Sequence, residues 1–181
     1  MALEVETRIS ALRRYVATLR REQRSVGLVP TMGALHEGHA AIIRGADKYV
    51  GRVVVSIFVN PTQFGPKEDF AKYPRTLDAD RQLCADAGAH AIFAPTVEEM
   101  YPDGFSTVVD VNRLGDHLCG ASRPGHFRGV CTVVAKLFGI VQPDWAFFGA
   151  KDYQQARILQ QMTHDLNMPI GIEIVPTVRE P

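Results

Sequence analysis

The sequence predicts an α/β fold, a mainly parallel sheet of about five strands with helices on both faces. Three observations carry that expectation. Strand-like and helix-like stretches alternate along the chain. The run RVVVSIFVN (52–60) is β-branched and apolar without polar alternation, as a strand covered on both faces requires. The stretch HFRGVCTVVAKLFGIVQ (126–142) repeats apolar side chains at helical spacing.

Taken in order, TRISALRRYVATLR (7–20) puts Ile9, Leu12, Val16 and Leu19 on one helical face, with Thr7 placed to cap it. SVGLV (25–29) is a strand, and GHAAIIRGADKY (38–49) is a helix presenting Ile42, Ile43, Ala46 and Tyr49. The apolar strand at 52–60 follows. A long polar passage, PTQFGPKEDFAKYPR (61–75), leads to a helix at TLDADRQLCADAG (76–88) and a short strand at HAIFA (90–94). STVVDV (106–111) is expected to add a strand. In the helix at 126–142, Val130, Val133, Val134, Leu137, Phe138 and Val141 share the apolar face. DWAFF (144–148) is a strand, DYQQARILQQMTHDLN (152–167) a helix and IGIEIVP (170–176) a final strand. An open sheet of this kind takes its ligand at the carboxyl ends of its strands, so the turns leaving the strands are where chemistry is expected.

A chain of 181 residues suits one domain, or one with a small appendage. Its 20 basic and 20 acidic residues balance, so no general field draws nucleic acid or an anionic membrane surface. No apolar run approaches the roughly 20 residues of a membrane helix. The opening MALEVETRIS is acidic and polar and lacks the features of a secretion signal. Cys84, Cys119 and Cys131 form no CxxC pair and cannot all be bridged within the chain, so the expectation is reduced thiols in a cytoplasmic protein.

The stretch PTMGALHEGH (30–39) ends a strand in a glycine turn and opens a helix with two histidines. Gly33 supplies the turn, Gly38 leaves room for a phosphate, and the helix start offers free N–H groups and a partial positive charge. His36 and His39 can reach one anion there, and an imidazolium would stabilise charge building on a phosphate. The plainer alternative is two turn glycines and two solvated histidines. A zinc site is disfavoured, because HEGH lacks the i, i+4 spacing of HExxH and no cysteine pair matches it. In FVNPTQFGPKEDFAKYPRT (58–76), the amides of Asn60 and Gln63 can orient a small polar substrate, with Phe64 and Tyr73 as apolar walls; a stiffened surface loop accounts for the segment equally well. FFGAKDYQQ (147–155) repeats the first motif: Gly149 turns the chain, Asp152 and Gln155 have capping-box spacing, and Lys151 stands at a helix start, where a cation calls for an anion. In HLCGASRPGHFRGV (117–130), Arg123, His126 and Arg128 could close over an anion, though a plain loop explains them better; Cys119 and Cys131 are expected to pack rather than react.

Together VPTMGALHEGHAAII, VNPTQFGPKEDFAKYPRTLDAD, CTVVAKLFGIVQPDWAFFGAKDYQQ and VPTVRE resemble the pantothenate synthetase (pantoate–β-alanine ligase) family, within the nucleotidyltransferases of the HIGH-motif superfamily. The likeness runs in order over nearly the whole chain. It implies a Rossmann-like N-terminal domain, a homodimer, Mg2+ with ATP, and two chemical steps. Pantoate attacks the α-phosphorus of ATP to give pantoyl adenylate; the amine of β-alanine then displaces AMP. By the same resemblance, Met32, Gly33, Ala34, Leu35, His36, Glu37, Gly38 and His39 form an ATP-binding stretch, with His39 as proton donor. Gly149, Ala150, Lys151 and Asp152 form a second, with Lys151 on phosphate. Gln63 and Gln155 take pantoate, Gln63 also the β-alanine site, and Val178 takes adenine through its backbone.

The family continues past VPTVRE into a Ser-Ser-Arg segment and a C-terminal lid domain. Residues 1–181 are therefore expected to be the N-terminal nucleotide- and pantoate-binding domain, binding ligands weakly and turning over little. Two other readings stay open, a simple nucleotidyltransferase and a non-catalytic nucleotide-binding or dimerisation module.

Overall fold

The computed structural model describes residues 3–65, 68 and 70–176. In chain order the elements are β1 (Glu4–Glu6), α1 (Ile9–Arg21), β2 (Val26–Thr31), α2 (Glu37–Asp47), β3 (Arg52–Ile57), α3 (Leu77–Asp86), β4 (Ala91–Phe93), α4 (Val97–Met100), α5 (Cys119–Ser122), α6 (His126–Val141), β5 (Trp145–Gly149), α7 (Tyr153–Asp165) and β6 (Gly171–Val175). Short 3-10 turns occupy Pro61–Gln63, Phe70–Lys72 and Ala150–Asp152. The six strands form one parallel sheet in the order β1-β4-β3-β2-β5-β6, a Rossmann-like arrangement.

Each strand divides its side chains between two cores, because successive residues point to opposite faces. Leu28, Val54, Phe93, Ala146 and Phe148 pack beneath α1, α6 and α7. Val29, Val53, Val55, Ile92 and Phe147 pack beneath α2 and α3. The strand cores are apolar on both sides for that reason. The six apolar residues expected on one face of α6 are all buried. Leu12, Val16 and Leu19 are likewise buried along α1, with Ile9 packed at the edge.

Four expectations need correction. The sheet has six strands rather than about five, the extra one being β1, whose three residues pair with β4. Residues 106–111 form no strand. That segment is tied to α6 instead: the Val109 N–H donates to Thr132 Oγ1 at 3.0 Å, and Val109 and Val111 pack on the core. Thr7 does not cap α1, whose N-cap is Arg8; the Ile9 N–H goes to the remote Glu99 carboxylate at 2.8 Å, and Arg8 pairs with the same group at 3.0 Å. Tyr49 lies past the end of α2 and is 58% exposed, its ring 5.8 Å from that of Phe147.

The register of the central strands creates the cleft. Strand order reverses between β2 and β5, and those two pair only through Gly27↔Trp145 and Leu28↔Ala146. Both then run on, β2 to Thr31 beside β3 and β5 to Gly149 beside β6. They part as they approach their carboxyl ends, which leaves a crevice at the point where α/β sheets bind ligands.

One contact locks the 61–63 turn against α6. A Cβ on Gly129 would stand 2.4 Å from the Thr62 carbonyl oxygen and 2.7 Å from Gln63 N, and backbone cannot rotate aside. Gly129→Ala is expected to cost about 1–3 kcal/mol. Urea denaturation should show a lowered midpoint with an unchanged slope; an unchanged midpoint would mean that helix and turn are not in fixed contact.

Candidate active site

Where β2 and β5 part, a cleft of about 700 Å3 opens. Val130, Val133, Val134 and Leu137 of α6, with Phe58, Phe147 and Phe148, give it apolar walls. Of the residues expected at a site, it brings together Met32, Gly33, Ala34, His36, Glu37, Gly38, His39, Gln63, Gly149, Lys151, Asp152 and Gln155. Leu35, Ala150 and Asn60 do not line it. Val178 lies outside the described residues.

The turn after β2 is left-handed at two consecutive residues, Gly33 at φ +86 and Ala34 at φ +50. Such a pair turns successive N–H groups to one side, making a concavity suited to an anion. Here the anion is internal. Asp80 of α3, only 2% exposed, accepts from Leu35 N–H at 2.7 Å and Ala34 N–H at 3.1 Å. Nothing in the motif itself announced this partner. A signal existed on α3: Asp80 stands in the same stripe as Leu83, Cys84 and Ala87, a carboxylate where an apolar residue is expected.

The two histidines cap α2 reciprocally. His36 Nδ1 accepts from Gly38 N–H at 3.1 Å, and His39 Nδ1 accepts from His36 N–H at 3.3 Å. Their ring centroids are 4.2 Å apart. A nitrogen that accepts from a peptide N–H carries no proton, so the bonding assigns both neutral imidazoles the Nε2–H tautomer. Burial first, then the neighbouring His36, lowers the His39 pKa to about 4; Asp80 opposes the shift and Lys151 adds to it. His39 is thus a neutral donor at pH 7.

The expectation of free helix-start N–H groups holds only for Glu37, the first residue of α2, whose N–H has no partner among the described residues. Gly33 N–H faces Thr31 Oγ1 at 3.3 Å, those of Ala34 and Leu35 are held by Asp80, and those of His36 and Gly38 by imidazoles. His39 N–H closes on His36 O at 2.8 Å. The donors have been handed outward, from peptide N–H to imidazole Nδ1, with Nε2–H left for a ligand. Gly38 serves the same device: a Cβ there would lie 2.8 Å from His36 Cε1, so the missing side chain makes room for the imidazole.

Gln63 reaches the cleft from the 3-10 turn after β3 and is 8% exposed. Its Nε2 donates to Met32 Sδ at 3.1 Å, and its Oε1 accepts from Asn60 Nδ2 at 3.0 Å. Asn60, expected to touch substrate, is 1% exposed and fully engaged. Nδ2 also donates to Gly129 O at 3.1 Å, and Oδ1 accepts from Thr62 Oγ1 at 2.9 Å and Tyr101 Oη at 2.8 Å. Its amide orients Gln63 instead. Tyr101 was not foreseen, because nothing local links it to residue 60.

Arg123 and His126 also support this turn rather than closing over an anion. Arg123 holds Glu68 as an ion pair, its Nη2 donating to Oε2 at 2.9 Å and its Nε lying 2.7 Å from Oε1. His126 Nδ1 donates to Gln63 O at 2.9 Å, and its Nε2 is 3.2 Å from Arg123 Nη1. Arg128 is exposed and does not line the cleft. Tyr73 does line it, its ring 5.8 Å from Phe64 behind it. Cys84 and Cys131 are buried, Cys119 is exposed, and all three are free.

Opposite the histidines, β5 ends at Gly149 and the turn Ala150–Asp152 leads into α7. Lys151 is exposed on that turn and forms no ion pair among the described residues. The expected Asp152/Gln155 capping box is absent: Asp152 is the N-cap of α7 but makes no side-chain cap bond. The preceding 3-10 turn takes that start in a different geometry, φ −101 and ψ 54, which leaves both side chains to the cleft.

The chain matches the family model described as pantoate-beta-alanine ligase over residues 4–181. It is 61% identical to the pantothenate synthetase of Moorella thermoacetica over 178 residues, which are 98% of this chain and 63% of that protein. The crystal structure of pantothenate synthetase from Thermus thermophilus matches with a TM-score of 0.93 at 51% identity, covering 98% of this chain and 63% of that one. A second structure, pantoate-beta-alanine ligase from Francisella tularensis complexed with beta-gamma ATP and beta-alanine, matches with a TM-score of 0.94 at 39% identity, covering 99% and 69%. The chain therefore spans less than two thirds of the length of its Moorella relative.

The histidine cap has a thermodynamic signature. The His39 pKa moves from the ordinary 6.5 to about 4 on folding, so between those values the unfolded chain binds the extra proton. Stability should fall as pH drops from about 6.5 to about 4 and then level off, while above 6.5 this group contributes no slope. His39→Gln should flatten that slope in denaturation curves, leaving the part due to His90 and His126, which burial also lowers. An unchanged slope would place His39 in water.

Proposed function

The chain belongs to the pantoate-beta-alanine ligase family, and from that premise we propose that it is the nucleotide- and pantoate-binding part of an enzyme joining pantoate to β-alanine. ATP drives the condensation, and pantothenate, AMP and pyrophosphate are the products. The observation that carries this reading is convergence. Two turns face one cleft at the switch point of the sheet, one bearing a pair of Nε2–H imidazoles and the other an ammonium with no ion pair among the described residues.

In the proposed first step, a pantoate carboxylate oxygen attacks the α-phosphorus of ATP as the bond to the pyrophosphate oxygen breaks. An anion must approach a polyanion, so donors aimed at the phosphoryl oxygens lower the barrier. Lys151 supplies the charge, and His36 and His39 supply hydrogen bonds without a standing charge. Once a triphosphate is bound, His39 takes a proton from solvent at Nδ1, releasing the His36 N–H, and the imidazolium can give its Nε2 proton to the departing pyrophosphate. Mg2+ enters with ATP and neutralises phosphate charge. No group of three or more His, Cys, Asp or Glu among the described residues could hold a metal. Asp152, and Glu37 paired with Arg44, are the cleft carboxylates, which fits an ion held chiefly by phosphates.

Pantoate is assigned to the Gln63 and Gln155 amides, with its two methyl groups on the α6 wall. In the second step the amine of β-alanine attacks the acyl carbon of the pantoyl adenylate, AMP leaves, and the amine loses its proton. Gln63 is assigned to both carboxylate substrates, held in place by Asn60. Met32 to His39 and Gly149 to Asp152 are assigned to ATP, and Val178 to adenine. The cytoplasm suits an ATP-consuming condensation of this kind. A homodimer belongs to the proposal as well; Leu118, 80% exposed, and Leu114, 43% exposed, offer apolar surface that does not line the cleft.

Calorimetry with ATP and pantoate added separately tests the assignment. His39→Ala and Lys151→Ala should each weaken ATP binding about 10-fold, roughly 1.4 kcal/mol for one charge-assisted or neutral donor lost. Gln63→Ala and Gln155→Ala should lose pantoate while ATP binds as before. Pantoate bound equally by both glutamine variants would overturn the ligase reading, and ATP without any pantoate binding would favour a simple nucleotidyltransferase.

A further inference from the structure

Asp80 has no part in the proposed chemistry and does not line the large cleft. It borders a smaller cavity of about 320 Å3 on the other side of the 32–33 backbone, with Arg75, Thr76 and Thr96. Its carboxylate is 2% exposed and forms no ion pair among the described residues. A buried charge without a counter-ion is costly unless its lone pairs are filled by donors. Three fill them: Leu35 N–H at 2.7 Å, Ala34 N–H at 3.1 Å and Thr76 Oγ1 at 3.2 Å. Its place in the first turns of α3 adds the positive end of that helix.

We propose that Asp80 is a positioning residue: its carboxylate seats in the N–H concavity of Ala34 and Leu35 and holds the left-handed turn that aims both imidazoles into the cleft. The geometry makes the coupling direct. Leu35 is followed at once by His36, whose own N–H meets His39 Nδ1 and whose Nδ1 meets Gly38 N–H. A non-glycine residue in the left-handed region is held there only when its surroundings over-determine it, and Ala34 at φ +50 is such a residue. Without the carboxylate, two N–H groups lose their partners and the turn has no reason to stay left-handed. A side chain in Gly33 would also press on this contact, its Cβ standing 3.1 Å from Asp80 Oδ2. The charge of Asp80 acts on His39 as well, partly offsetting the depression of its pKa.

Asp80→Asn keeps the shape but turns one oxygen into an N–H2 that faces a peptide N–H. The test reads imidazole 15N shifts at pH 7 in the parent and in D80N, then titrates both with ATP. In the parent, His36 and His39 should show one tautomer each, with the proton on Nε2. In D80N both should move toward tautomeric averaging, while His117 and His164, far along the chain, keep their shifts. ATP affinity should fall about 10-fold or more. Selective movement of His36 and His39 is what a merely structural role would not produce.

The ATP arm rests on the proposed function and the histidine arm does not. Moved tautomers in a parent that binds no ATP leave the positioning role standing and remove the functional reading. Unmoved His36 and His39 in folded D80N overturn the positioning role. Should D80N fail to fold, Thr76→Val removes only the hydroxyl donor and should shift the same two histidines in the same sense by less; no shift in folded T76V overturns the proposal.

Discussion

A buried carboxylate accepting from two adjacent peptide N–H groups is the contact on which the geometry of the histidine turn rests. Asp80 reaches from α3 under the turn after β2 and takes the N–H groups of Ala34 and Leu35. That turn decides the direction in which α2 begins, and α2 begins with the histidine pair. The parting of β2 and β5 makes the space, while the Asp80 contact determines what faces into it. Sheet register and one polar contact from a neighbouring helix thus divide the work of building the site.

The donors in the cleft differ from those of a glycine loop that cradles phosphate with its backbone. Here the peptide N–H groups of Ala34, Leu35, His36, Gly38 and His39 are already used, and the imidazoles carry donor capacity outward through Nε2–H. Neutral donors suit the proposed binding of a polyanion and release of pyrophosphate. They attract phosphate oxygens without storing charge in an apolar pocket, where an unpaired imidazolium would be expensive. The standing cation is left to Lys151, which is exposed and loses little hydration before ligand arrives. On the opposite side, Gln63 is held by Met32, Asn60 and, through its backbone, His126, so its amide stands pre-oriented.

Much of the fold was legible in the chain because burial imposes periodicity. The apolar runs of β2 and β3 and the α6 stripe need both strand faces and one helix face covered, and a sheet layered between helices satisfies both. β1 escaped because its three residues, Glu-Val-Glu, carry one apolar side chain. Residues 106–111 misled because Val109 and Val111 do pack on the core, but over a helix. The cleft residues were legible as glycine turns at strand ends. Their hydrogen bonds were not: the Asp80 contact spans 46 and 45 positions and Tyr101–Asn60 spans 41, separations at which local pattern says nothing. The Thr7 and Asp152 caps failed for a related reason, since Glu99 and a 3-10 turn took over those helix starts.

The proposed chemistry requires the imidazole turn and the ammonium turn to meet a single polyanion. Following the His39 ring by NMR across a pH titration, first free and then with saturating ATP, tests this most directly. Free protein should titrate near 4, and nucleotide should lift that midpoint toward or past the ordinary value of 6.5, because a triphosphate beside Nε2 favours the proton. A midpoint that stays put while ATP is bound would place the phosphates elsewhere and contradict the shared site.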